Sequence, residues 1–201
     1  MQIEALPIEG AWVITPKVHG DDRGAFLEWF KDPLFTGAVG HRFDLAQANC
    51  SVSARGVLRG IHFADVPPGQ AKYVTCVSGA VLDVVVDIRV GSPTFGQWTS
   101  VLLEDRARRA LYLSEGLGHG FASLQDGSTV VYLCSEGYNP QREHEIHPLD
   151  PALGIDWQLE GEQPELSAKD AVAPTLAQAA EAGLLPTWQA CQEYRAGLAA
   201  R

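Results

Sequence analysis

Four polar residues in the middle of the chain, His62, Lys72, His119 and Tyr132, are of types that could carry chemistry if they converge in a barrel mouth. His62 ends the run GVLRGIHF, and Lys72 opens the next run after the loop Ala64–Ala71, so a hairpin would bring the two together. His119 lies in the glycine-rich turn EGLGHGF, and Tyr132 shares a strand face with Val130 and Cys134 in TVVYLCS. Polar groups inside strand-like runs are informative, because a barrel interior is apolar unless it binds something. Taken singly, each also has an ordinary structural reading, which its residue type favours. These readings are a hydrogen-bonded histidine near a strand end, a solvated edge-strand lysine and a core tyrosine with a satisfied hydroxyl.

The elements that must position these residues are short strands. In LDVVVDIR, Leu82, Val84, Val86 and Ile88 fall on one face, and Asp83, Val85, Asp87 and Arg89 on the other. The two aspartates are expected to mark the outward face. Similar runs occur at 56–63, 72–77, 99–103, 110–113 and 129–135, separated by turn signals such as Pro67-Pro68-Gly69 and Asp126-Gly127-Ser128. A flat strand would send Arg59 and His62 to opposite faces, and a bulge at Gly60 would re-aim one of them. This spacing, with no helical pattern between the strands, predicts an all-β antiparallel sandwich or barrel, with a jelly-roll barrel the best single expectation.

The ends differ from the middle. Residues 1–50 mix strand-like pieces with one helical turn at Asp32–Phe35, and about 51–160 form the barrel core. The Ala-rich stretch 174–199 reads as two short helices, N-capped by Thr175 and Thr187, with Gly183 closing the first. The whole chain, 1–201, is expected to be a single domain.

Composition narrows the class of partner. The 201 residues carry 15 basic and 25 acidic side chains, a net charge of −10, so nucleic acid and anionic membranes are poor partners. An anionic small ligand would need a local cluster of Arg and Lys. No apolar run is long enough to span a bilayer, and Met1-Gln2-Ile3-Glu4 lacks the start of a signal peptide. Cys50, Cys76, Cys134 and Cys191 form no C-x-x-C pair, which suits a cytoplasmic protein. A barrel metal site needs H-x-H near His62, but Phe63 and Ala64 follow it; His144 and His147 are spaced i, i+3 with no pattern placing them beside it. No metal is expected. Nucleotide-binding glycine loops and serine-nucleophile motifs are missing as well.

Together the segments GVLRGIHF (56–63), 67–96, YLSEGLGHGF (112–121), VVYLCSEGYNP (130–140), DPALGIDW (150–157) and LSAKD (166–170) resemble the dTDP-4-dehydrorhamnose 3,5-epimerase family. DDRGAFLEWF (21–30) and QANCSVS (47–53) fit the same pattern, so the resemblance covers roughly residues 10–175. It implies a cupin-type jelly roll, a homodimer that exchanges N-terminal segments, and no cofactor. The implied substrate is a dTDP-4-keto-6-deoxy sugar, whose C4 ketone acidifies the hydrogens on C3 and C5.

By the resemblance, His62 is the base, Asp170 holds its other ring nitrogen, Lys72 faces the developing oxyanion and Tyr132 is the acid. Arg23, Arg59 and Lys169 are implied to meet the diphosphate or nucleotide. Phe26, Glu28, Gln47 and Asn49 would contact the nucleotide, Tyr138 would stack on thymine, and His119 and Glu143 would line the substrate. Residues between Arg23 and Asn49 would serve the partner's site. Ser114 and Gly118 depart from the usual Pro and Ala. Two alternatives stay open: an epimerase acting at C3 or C5 alone, and a non-catalytic nucleotide-sugar-binding module, which would not need the acid–base set.

Overall fold

The computed structural model describes residues 1–200. The chain opens with β1 (Gln2–Ala5), β2 (Ala11–Thr15), a hairpin of β3 (Val18–Asp21) and β4 (Gly24–Leu27), and helix α1 (Asp32–Val39). The middle holds β5 (Gln47–Ser53), β6 (Leu58–Ala64), β7 (Lys72–Ser78), β8 (Ala80–Val86) and β9 (Trp98–Glu104). After them come β10 (Ala110–Leu113), β11 (Gly118–Ser123), β12 (Ser128–Cys134) and β13 (Glu143–Glu145). A single 3-10 turn at Asp170–Val172 precedes α2 (Leu176–Glu181) and α3 (Trp188–Ala199).

Two antiparallel sheets face each other as a jelly-roll barrel. One has the order β1-β2-β10-β7-β12-β5 and the other β13-β6-β11-β8-β9, while β3 and β4 pair only with each other. Val74, Cys76, Leu111 and Val130 of the first sheet meet Val81, Val85, Leu103 and Phe121 of the second in one buried cluster. Both outer faces are covered too. Leu82, Val84 and Val86 join Trp157, Leu176 and Leu185 of the C-terminal segment, and Tyr73 and Tyr112 join Phe30, Phe35 and Phe43 of the N-terminal one.

That double cover corrects one expectation. Asp83 and Asp87 do not mark an outward face; both are fully buried, Asp83 within β8, every residue of which is covered, and Asp87 just after its end. Asp87 accepts hydrogen bonds from Arg89 Nε and Nη2, each at 2.8 Å, and from Ser92 and Thr94 hydroxyls at 2.6 Å. Burial pushes its carboxyl up, but these bonds outweigh burial and hold it below the usual carboxylate range. Arg89 in turn lies 4.4 Å from the Trp188 ring, which ties α3 to the barrel.

The helices begin where capping chemistry places them. Thr175 forms a capping box with Gln178, and the Thr187 hydroxyl accepts the Ala190 amide. The first helical segment runs past Asp32–Phe35 to Val39, with Gly40 taking the left-handed conformation that ends it. Lys72 is not on an edge strand, since β7 lies between β10 and β12.

The bulge at Gly60 sets the direction of two polar side chains. Along β11, His119 and Phe121 are two residues apart, while their partners on β6, His62 and Arg59, are three apart. The extra residue turns Arg59 and His62 to the same side of the sheet. Gly60 has φ +124°, and a Cβ there would lie 2.5 Å from Gly120 Cα and 2.7 Å from the His119 carbonyl. Gly60→Ala should therefore cost about 3 kcal/mol, combining backbone strain with overpacking. Urea unfolding should report this cost, and a midpoint equal to that of wild type would show that the two strands need no such contact.

Candidate active site

The mouth of the barrel collects polar side chains from both inner faces. A cavity of about 420 Å³ is lined by Arg59 and His62 of β6, Lys72 of β7, His119 of β11 and Tyr132 of β12. A second, of about 270 Å³, shares Arg59, His62, Lys72 and Tyr132 and adds Gln47, Asn49, Tyr138, Glu143, Lys169 and Asp170. His62 and Lys72 do not face each other across a hairpin, because β6 and β7 belong to different sheets. They meet instead as two walls of one cavity. His119 stands on β11 rather than in a turn, directly opposite His62 in the strand register.

His62 Nε2 lies 2.8 Å from Asp170 Oδ1, and the Asp170 backbone is anchored in turn, its amide donating to Ser167 Oγ at 3.0 Å. Burial pushes the Asp170 carboxyl up, yet the His62 hydrogen bond and charge, helped by Ser167 and Gly60, hold it below the usual range. An ionised carboxylate only accepts, so Nε2 carries the proton and the other ring nitrogen is left with a lone pair. The side chain of His62 is 38% exposed and that of Asp170 only 3%, so the imidazole is open to the cavity while the carboxylate that orients it is nearly covered.

Opposite stands the phenol of Tyr132. Burial raises its pKa, so it stays protonated as a donor across the neutral range. Burial lowers the Lys72 ammonium, with Cys134, Glu143 and Asp83 pulling the other way. Cys134 pairs with Lys72 in register, but burial raises its thiol and keeps it from acting as a thiolate. An imidazole base, a phenol on the facing sheet and an ammonium beside the phenol can together remove a proton from one face of a carbon and replace it on the other.

Arg23, Phe26 and Glu28 are not brought to this cavity within the chain. They lie on or just after the β3–β4 hairpin, where Arg23 pairs with Asp21, Glu28 with Lys31, and Phe26 is 67% exposed. Sequence reasoning also missed the role of Asp83, which is fully buried with Oδ1 2.8 Å from His119 Nε2. It makes a second histidine–carboxylate pair on the cavity wall. The available signal was Val85, an apolar neighbour on the same face of β8, which argues that this face looks inward. Among the described residues, no group of three or more His, Cys, Asp or Glu side chains is placed to hold a metal ion. No helix among them is long and apolar enough to cross a membrane.

Comparison with known proteins places this geometry. Residues 5–178 match the family model described as dTDP-4-dehydrorhamnose 3,5-epimerase. A protein of that description from Mycolicibacterium smegmatis is 63% identical over 196 residues, covering 96% of this chain and 95% of its own. The solved rmlC epimerase of Mycobacterium tuberculosis superposes with a TM-score of 0.97 at 57% identity, covering 98% of this chain and all of the other (100%). ChmJ, a 3'-monoepimerase from Streptomyces bikiniensis solved with dTDP-quinovose, superposes at 0.96 with 54% identity and covers 98% of this chain and 100% of its own. With the fold and nearly the whole length shared, the chain belongs to the dTDP-4-dehydrorhamnose 3,5-epimerase family and is an isomerase.

Proposed function

We propose that the protein inverts C3 and C5 of dTDP-4-dehydro-6-deoxy-D-glucose, giving dTDP-4-dehydro-L-rhamnose. The observation that carries this reading is the opposition of two proton-transfer groups across one cavity. His62, held by Asp170 of the 3-10 turn, stands on one sheet and Tyr132 on the other. His62 takes the hydrogen next to the C4 ketone, and the electron pair moves onto the ketone oxygen. Lys72 offsets the resulting negative charge, with Arg59 and His119 on the facing wall. Tyr132 then returns a proton to the opposite face of the carbon, and exchange with water resets both groups. The cycle consumes no oxidant, reductant or cofactor.

Substrate placement follows from the second cavity. Tyr138, 61% exposed at its rim, suits stacking on thymine, and Gln47 Oε1 accepts the Tyr138 amide at 2.9 Å, which fixes that segment. Arg59, held by Ser53 Oγ at 3.2 Å, and Lys169 suit the diphosphate. The unpartnered β3–β4 hairpin suits a homodimer in which Arg23, Phe26 and Glu28 enter the other protomer's cavity. An acidic cytoplasmic enzyme drawing a free nucleotide sugar to a local basic patch fits the same picture. A second reading, inversion at C3 alone, is favoured by the monoepimerase name of a relative at 54% identity.

Proton NMR of the ketosugar in D₂O separates these readings. Deuterium is expected at both C3 and C5, whereas label confined to one carbon supports the single epimerase, and no label at either removes both. His62→Ala should lose label at both carbons by about 10²–10⁴-fold. Tyr132→Phe should lose inversion more than label, and equal loss of the two would count against its role as the acid.

The pH dependence has a defined sign. Lys72 acts only as an ammonium, and burial sets its pKa below the ordinary value of about 10.4. As pH rises through that lowered value the charge is lost, so kcat/KM should fall along an alkaline limb lying below about 10.4. Lys72→Met should slow turnover by roughly 10²-fold and abolish the limb. Tyr132→Phe should keep the limb, and its disappearance there would reassign the titrating group.

Subunit exchange is tested by mixing two impaired variants, His62→Ala and Arg23→Ala. Activity that neither has alone should return in the mixture, since one of the two sites in a mixed dimer is then intact. A mixture no more active than its parts would place Arg23 in its own protomer's site.

A further inference from the structure

Ile61 stands between two residues that touch the orienting carboxylate. The His62 ring bonds to Asp170, and the Gly60 amide lends the same carboxyl a further hydrogen bond. Ile61 is fully buried and turned the other way, into the apolar cluster with Ile88, Ile146 and Trp157 that covers the outer face of this sheet. Its amide and carbonyl are both spent on Ile146, just after β13, at 3.0 and 2.9 Å. Toward β11 it has only its side chain.

That side chain lies over two glycines. A Cβ on Gly118 would stand 2.6 Å from Ile61 Cγ2, and one on Gly120 would stand 2.8 Å from Ile61 Cδ1. Neither glycine has the left-handed backbone that disfavours other residues, so their lack of a side chain serves the close approach. Gly118 and Gly120 flank His119, which lines the cavity opposite His62 in the strand register. One isoleucine laid across them from β6 therefore grips β11 on either side of His119, from the face away from the cavity. The pairing of the two strands shifts register beside this point, so the ladder alone does not fix the stretch. In a close-packed interior, displacing such a side chain displaces the backbone that carries it.

We propose that Ile61 is a positioning residue for the proton transfers: seated on Gly118 and Gly120, it sets how His62 faces His119 and holds His62 against Asp170. It faces away from the cavity and acts only through the backbone of its neighbours. Its kinetic effect rests on the epimerase reading above, while the packing itself can be followed without substrate.

Gly118→Ala tests this, because the added methyl meets the Ile61 branch and no backbone strain accompanies it. Moving His62 by roughly a few tenths of an ångström should lower kcat about tenfold and leave KM within about twofold. Ile61→Leu removes Cγ2 while conserving volume, and alone should cost about twofold in kcat. The double variant should recover to within about threefold of wild type, since the alanine methyl fills the space that Cγ2 vacates. In ligand-free protein, the imidazole NMR signals of His62 and His119 should move in Gly118→Ala and return in the double variant. Leu176→Ala, in the same apolar cluster but on α2, should lower the melting temperature with kcat and both signals unchanged, which separates positioning from general loss of stability. Wild-type kcat in folded Gly118→Ala, or a double variant no faster than Gly118→Ala, would overturn the proposal. Should Gly118→Ala not fold, Ile61→Val takes its place, since it keeps Cγ2 and removes only the atom over Gly120. It should lower kcat about threefold, and an unchanged kcat there would equally overturn the proposal. Wild-type protein that places no deuterium in the ketosugar would overturn the epimerase reading and the kinetic role with it; the histidine signals would still report whether this contact sets the two rings.

Discussion

The site is built around the place where two backbones touch. At Gly60 and Gly120, β6 and β11 approach so closely that a Cβ on Gly60 would meet Gly120 Cα, and a Cβ on Gly120 would lie 2.8 Å from the Arg59 carbonyl. This crowding and the bulge are one feature. The extra residue on β6 has to sit somewhere, and only a pair of glycines lets it sit against the neighbouring strand. Arg59 and His62 then face the cavity together, and Asp170 arrives from 108 residues further along the chain to meet His62. A straight β6 would keep the same residues and lose the constellation.

Holding polar groups in a barrel interior works against stability, and the fold balances this spatially. Asp83 is fully buried, and among the described residues its Oδ2 has no hydrogen-bond partner. A loss of about 1–3 kcal/mol is usual for such a group. The apolar half of the interior, around Val74, Val85, Phe121 and Val130, stays uninterrupted. The two outer faces add clusters of their own, including edge-on contacts such as Phe30 with Tyr73 at 5.2 Å and Phe35 with Tyr112 at 4.8 Å. At about 0.5–1.5 kcal/mol per aromatic pair beyond burial, a few such contacts offset one strained polar group. This explains why the terminal segments wrap the barrel: they supply burial that the working interior forgoes.

How much of this is legible in the sequence depends on whether a signal is local. The barrel strands can be read from alternation, and Thr175 and Thr187 from capping chemistry, because each depends on near neighbours. The possible bulge at Gly60 is legible for the same reason. Tyr132 and His62 stand out as polar interruptions of apolar runs, but their meeting across two sheets does not, since register between distant strands leaves no mark in spacing. Asp170 sits in a polar segment with nothing local to distinguish it, and only family resemblance singles it out. Asp83 is misread because alternation reports which residues share a face and not which way that face looks. His144 draws notice only for its spacing to His147, while its partner Asp65 lies just beyond the end of another strand.

The distribution of ion pairs completes the electrostatic argument. A chain of net charge −10 must still attract an anion, and bulk charge opposes this. Most of the cations that line other parts of the molecule are matched: Arg89 by Asp87, Arg55 by Glu160 and Glu162, Arg195 by Glu9 and Arg23 by Asp21. Arg59 and Lys72 differ, because among the described residues neither has a carboxylate within ion-pair distance. Both line the two joined cavities, where walls of low polarisability strengthen an unmatched charge to about 4 kcal/mol at 4 Å for an effective dielectric near 20. Lys17, Arg106, Arg108, Arg109 and Arg142 also have no ion pair among the described residues, but none of them lines these two cavities, so Arg59 and Lys72 are the unmatched cations that give the acidic chain local positive charge at the mouth. In the proposed reaction, the same lack of a counter-ion would leave Lys72 free to answer a charge that exists only while the enolate does.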